Sequence, residues 1–274
     1  MSERKTLEHS KEKRRSRAED VSRTQSKNAV ELALMWGSYA AMVLCNGLFE
    51  TLRLGGTTAN EVATEVFTWF MPAGYAFSIW GLIYIGLAVW LVRYTLNSPV
   101  RRKEISMEAK LFVASCILNV AWLALFHYDL VLASLFAAIG LWAVLIALYQ
   151  PVRDSSQDTF DRVPISLYAA WSTVAVVINA TSLITRFLDG GIPIANGIGA
   201  VLLAAGVLAL GHVLYRRFDD IVFPIVMVWA VVGVGVNLLL VSFLVSVAMF
   251  VMATFYAAAL IIYILVGRPV PIVH

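Results

Sequence analysis

Between Ile221 and Val266 the chain runs without a single Asp, Glu, Lys, Arg or His. As one helix at about 1.5 Å per residue, that run would be about 69 Å long, against a bilayer core of about 30 Å. A reversal is therefore required, placed between Asn237 and Ser242, and the run becomes two membrane spans. The whole chain carries the same signature. It is 60% hydrophobic and 14% charged, with a mean hydropathy of +0.78, where soluble domains are about 45–50% apolar and about 25% charged. A soluble enzyme, a secreted disulfide scaffold and a fibrous protein are excluded. Cys45 and Cys116 both fall inside apolar stretches and read as small buried hydrophobes.

Stretches long enough to cross a bilayer fall at 29–49, 73–95, 109–127, 129–149, 164–185, 194–215, 221–240 and 243–266. The expected fold class is all-α, a polytopic bundle of eight helices, or seven if the third and fourth stretches are misjudged. Residues 1–28 are different material: basic, interspersed with Glu3, Glu8, Glu12, Glu19 and Asp20, and without an apolar run. They read as a disordered tail that keeps the N-terminus in the cytoplasm, with an anionic lipid or nucleic-acid clamp as the sharper alternative. With the tail inside, nineteen of 21 Lys/Arg lie on one side and only Arg53 and Arg186 on the other. That bias places both termini in the cytoplasm, and the plasma membrane is the expected location.

Ionisable residues deep in a bilayer mark ion paths and proton relays. The centres of all eight stretches lack Asp, Glu, Lys and Arg; Glu31 and Glu50 lie near the ends of the first and Lys110 begins the third. A retinal Schiff base has no lysine to use, a coupled pump is disfavoured, and no Walker loop or HExxH occurs. His127 and His212 fall at opposite membrane faces and cannot share one metal, although either could be a single axial haem ligand. With no nucleophile, general acid or metal cluster in view, an enzyme is the weaker expectation. The polar groups inside the spans are amides, Asn46, Asn119, Asn179 and Asn237. An unpaired amide in hydrocarbon costs several kcal/mol, so each should face another helix.

Three aromatic groups are more specifically spaced. The second span opens with Trp69 and Pro72, continues through Phe77, and carries Trp80, Gly81 and Tyr84. The third holds Leu118, Asn119, Ala121, Trp122 and Phe126, and the fifth Tyr168, Trp171 and Asn179. Offsets of three, four and eight put each set on one helix face. In these residues the chain resembles the TspO/MBR family of tryptophan-rich sensory or translocator proteins. That family's second helix carries W-x-x-P…W-G-x-x-Y, its third L-N-x-A-W-x-x-x-F, and its fifth Y-x-x-W with Asn eight residues after the Trp. The resemblance covers 29–186. The chain departs from the family at Met71 and Gly74, where a second Pro and a further Trp are usual, and at Leu167, where a Pro is usual.

The resemblance implies a five-helix module over 29–186, followed by an extension of about three helices over 187–274. It also implies a flat hydrophobic ligand, porphyrin, haem or sterol-like, held within the bundle in a sensory or regulatory role. Trp69, Pro72, Phe77, Trp80, Tyr84, Asn119, Trp122, Phe126, Tyr168, Trp171 and Asn179 are the expected site. Trp69, Trp80, Tyr84, Trp122, Tyr168 and Trp171 would line the cavity, while Asn119 and Asn179 hold the helices in register. No resident cofactor or metal is required, and a porphyrin or haem would enter as ligand. The expected partners are the lipid bilayer and the ligand, with a homodimer allowed by the family's habit and no nucleic acid. The competing function is a transporter or exporter of a neutral or lipophilic small molecule, with Gly197, Gly199, Gly233 and Gly235 permitting close, shifting helix contacts.

Overall fold

The computed structural model describes residues 29–53, 67–97, 105–155, 158–187 and 193–266. The basic tail lies outside them. Eight α-helices are present among the described residues: α1 (Ala29–Leu52), α2 (Ile79–Asn97), α3 (Met107–His127), α4 (Val131–Ser155), α5 (Thr159–Phe187), α6 (Pro193–Phe218), α7 (Val222–Leu238) and α8 (Phe243–Val266). A short 3-10 turn, Gly74–Ser78, leads into α2. All but α7 are long and apolar enough to cross a membrane. At 17 residues, α7 is about 26 Å long, slightly short of the core thickness.

The reversal after α7 falls at Leu239–Ser242, where Val241 and Ser242 both donate their backbone N–H to the Leu238 carbonyl. Two other turns are set by residues in the left-handed region, Asp129 (φ 58°) between α3 and α4 and Asp219 (φ 56°) between α6 and α7. Side-chain caps mark the starts. The Ser106 hydroxyl accepts from the Ala109 N–H at α3, Asp158 accepts from Phe160 at α5, and Asp220 from Val222 at α7. Each satisfies one of the orphan donors a helix start leaves. The Asp158 cap lets α5 begin five residues before the apolar stretch does, so its first turn reaches past the hydrocarbon. There Arg93 of α2 pairs with both Asp158 and Asp161.

Long-range bonds show that the helices run alternately up and down. One end, called here the Glu31 end, gathers the start of α1, the end of α2 and the start of α3. The buried Glu31 carboxylate accepts from the Tyr94 hydroxyl at 2.6 Å and the Ser106 N–H at 2.7 Å. At the opposite, Glu50 end, Arg186 of α5 pairs with Asp129 at 2.7 Å.

The core is built around α5. From Tyr168 to Ala175 every residue is buried, which is the mark of a helix enclosed on all sides rather than facing lipid on one. Small residues in that stretch (Ala169, Ala170, Ser172, Thr173) let neighbours approach closely, as helices in a lipid solvent require. α5 packs against α2, α4 and α7. The last three helices are joined to the rest chiefly through α7, which also meets the 3-10 turn. Gly233 of α7 comes so near that a Cβ there would stand 3.0 Å from Pro72 Cβ and 3.1 Å from Ala76 Cβ. Its carbonyl accepts from the Ala73 N–H at 2.9 Å. The Trp229 indole donates to the Ala76 carbonyl at 3.1 Å.

Candidate functional site

The two aromatic faces of α2 and α3 meet in one stacked array. Trp80 lies parallel to Tyr84 (centroids 5.8 Å, 24°) and to Trp122 across the helix boundary (5.7 Å, 29°). Trp122 in turn stacks on Phe126 (6.2 Å, 25°). These separations are those of ordinary offset ring contacts. The i, i+4 spacing of Trp80–Tyr84 and Trp122–Phe126 supplies half of the array, and packing of α2 against α3 the other half. From α5, Trp171 meets Phe77 edge-on at 5.8 Å.

These rings border a cavity of about 430 Å³ whose wall comes from α1, the turn into α2, α2 itself, α3 and α5. Its volume is within the range of small-molecule sites, and its lining is predominantly apolar, as such sites are. Seven of the eleven residues expected from the sequence border it: Phe77, Trp80, Tyr84, Trp122, Phe126, Trp171 and Asn179.

The other four lie elsewhere. Tyr168 is fully buried beneath Trp80, whose ring it meets edge-on, and its hydroxyl contacts Met42 Sδ at 3.8 Å. Asn119 stands behind the wall and accepts from Asn46 of α1 at 2.9 Å. Pro72 is covered by Gly233 of α7. Trp69 borders a separate groove between α6 and α8, beside Gly197 and Val245. The motif segment Trp69–Pro72 thus forms the seat on which the C-terminal helices dock. The close Gly233–Pro72 contact was legible as a place of close approach, but not which neighbour would make it.

Most polar groups of the wall already have partners. The Asn46 amide donates to Asn119 and to the Met42 carbonyl, and its oxygen accepts from the Tyr84 hydroxyl at 2.8 Å. Asn179 donates to the Ala175 carbonyl and accepts from Ser134 of α4 at 2.9 Å. Asn46–Asn119 therefore ties α1 to α3, and Asn179–Ser134 ties α5 to α4. Asn237, expected to do the same, has no such bond and lies half-buried in the last turn of α7. Among the buried donors without a hydrogen-bond partner are Trp122 Nε1 and Asn119 Nδ2. Of these, Trp122 belongs to the cavity wall.

Sequence reasoning did not place α1 in the wall, yet Val43, Gly47, Glu50 and Thr51 all border the cavity. Their three- and four-residue spacing is the signal that could have found them, but lipid-facing positions of α1 are equally apolar and mask it. No group of three or more His, Cys, Asp or Glu among the described residues could hold a metal ion. His127 and His212 are remote from each other. The latter sits among Tyr215, Tyr256 and Tyr263, at ring distances of 6.2–6.3 Å.

Fold and site together define an integral membrane helix bundle that encloses an aromatic chamber between its first, second, third and fifth helices. A sequence model of the TSPO-like protein family matches residues 32–266, and the chain belongs to that family. The match continues through α6, α7 and α8, beyond the reach of the three aromatic motifs, so the last helices are no foreign appendage. No curated protein and no solved structure matches the chain.

Proposed function

We propose that the protein binds a flat hydrophobic ligand, a tetrapyrrole or sterol-like molecule, in this chamber and serves a sensory or regulatory role. One observation carries the reading: the stacked array Tyr84–Trp80–Trp122–Phe126 borders an apolar cavity of about 430 Å³. A planar π-system or fused-ring skeleton can lie against such rings with offset contact. The Trp122 indole N–H, buried and without a partner, is a donor that a ligand acceptor would satisfy.

The test is titration of the detergent-purified protein with protoporphyrin, followed by the shift of the porphyrin absorption band, which does not depend on counting tryptophans. W122L combined with W171L should weaken binding by about ten-fold or more, since together the changes remove two aromatic contacts of about 0.5–1.5 kcal/mol each beyond area. W69L, in the groove at α6 and α8, should bind as the wild type does. Undiminished binding by the double variant would remove the chamber from consideration.

A further inference from the structure

At the Glu31 end, we infer that the seam between α6 and α8 holds the phosphate of an anionic phospholipid, with Arg216, Tyr263 and His212 as its donors. The seam lies apart from the chamber, which is walled by α1, α2, α3 and α5.

Helix length sets the depth of this seam. With 26 residues, α6 is about 39 Å long and exceeds a hydrocarbon core of about 30 Å by about 9 Å. Centred in the bilayer, its last three residues, 216–218, stand at the level of the lipid headgroups. The 24 residues of α8, about 36 Å, bring Tyr263 to the same level. There the two helices meet: Arg216 Nη1 donates to the Tyr263 hydroxyl at 3.2 Å, and the guanidinium carbon lies 5.9 Å from the Tyr263 ring centre. His212 sits one turn deeper on the same face of α6. Its ring is 6.2 Å from Tyr215, 6.3 Å from Tyr256 and 6.2 Å from Tyr263.

The seam is rich in donors and short of counter-charge. Arg216 meets no carboxylate among the described residues; its partner is a neutral phenol. Arg217 beside it has the Phe218 ring as its contact. Asp220 is turned to α4 and α7, where it accepts from the Tyr149 hydroxyl at 2.8 Å and the Val222 N–H at 2.9 Å. A guanidinium with its fork of N–H groups matches phosphate geometry. The groups around it can donate as well. Having accepted from Arg216, the Tyr263 hydroxyl keeps its own hydrogen, and an imidazole carries at least one N–H in every tautomer. The Tyr256 hydroxyl is buried and has no partner. Basic pockets between membrane helices take headgroup phosphates in this way. The apolar Val213 and Ile262, each 59% exposed, flank the cluster, so acyl chains have a surface to follow below the phosphate. A soluble phosphate would leave that surface unused.

The test is equilibrium binding of dioleoyl phosphatidylglycerol and dioleoyl phosphatidylcholine to the full-length protein in neutral detergent, read by native mass spectrometry. Salt at about 0.15 M screens exposed charges elsewhere on the chain. The wild type should bind phosphatidylglycerol about ten-fold more tightly than phosphatidylcholine. R216Q, and H212F, which keeps a ring and removes its nitrogens, should each weaken phosphatidylglycerol binding about five-fold or more and leave phosphatidylcholine binding unchanged. K110Q, which removes an exposed charge of α3 at the same end, should bind both lipids as the wild type does. Excess inorganic phosphate should not displace the lipid. Equal binding of the two lipids by the wild type, undiminished phosphatidylglycerol binding in R216Q or H212F, or an equal loss in K110Q overturns the inference. So does a parallel fall in phosphatidylcholine binding, which would mean that the seam reads chains and not headgroups, or displacement by inorganic phosphate, which would assign a soluble anion.

Discussion

Asn46 is the junction of the polar chain inside the bundle, with contacts to Met42, Asn119 and Tyr84. Removing it leaves the Asn119 oxygen and the Tyr84 hydroxyl without their partner in a site that water does not reach freely. N46A should therefore lower unfolding stability in detergent by about 1–2 kcal/mol, the upper range for interhelical amide bonds in membranes. N237A should change it by less than about 0.5 kcal/mol, as substitutions outside such networks do. Equal losses from the two variants would contradict the assignment. Both residues read alike in the sequence, as amides in apolar helices. What separates them is whether a second helix presents a complementary group at the same depth, and that depends on helix rotation, which the amide itself does not encode.

At the level of helices, α7 joins the last three helices to the rest, packing on α5 and docking on the turn before α2. Gly233 makes it possible, because any Cβ there would press on Pro72 at 3.0 Å and Ala76 at 3.1 Å, both rigid neighbours with no flexible end to move aside. G233V should lower the thermal unfolding midpoint, with an overpacking cost of about 1–3 kcal/mol. G199A should leave it unchanged, since nothing lies within 4 Å of a Cβ at that position. The reverse order would place the seam elsewhere. Both glycines sit in small-residue stretches that look interchangeable along the chain. Span positions, by contrast, were legible to within a few residues, because hydrocarbon thickness fixes helix length from outside the protein. The exceptions were the start of α5, where a cap and an ion pair extend the helix beyond the apolar stretch, and the end of α4, which runs on to Ser155.

Across the whole molecule, Arg93, Lys110, Arg153, Arg162, Arg216 and Arg217 gather toward the Glu31 end, whereas Arg53 and Arg186 stand at the Glu50 end. We propose from this bias that the Glu31 end and both termini face the cytoplasm. In a background where Cys45 and Cys116 are changed to Ala, a cysteine introduced by Y128C should react with a membrane-impermeant maleimide on intact cells. One introduced by R217C should react only after permeabilisation. Both starting residues are exposed at their respective ends. The opposite labelling pattern would invert the topology, and with it the side on which the Glu50 end lies.

The sequence by itself determined that this chain is a membrane helix bundle of seven or eight spans and where, to within several residues, those spans fall. It also marked which aromatic residues share a face on α2, α3 and α5. Those properties follow from local length, charge and helical period, each of which is written in consecutive residues. Only the tertiary structure decided that Pro72 seats α7 and Trp69 borders a groove between α6 and α8 instead of lining the chamber, and that α1 closes the chamber wall. In a lipid solvent the inward and outward faces of a helix are nearly equally apolar. Rotation and partner choice are therefore settled by packing and by a few interhelical bonds, which exist only once the helices have met.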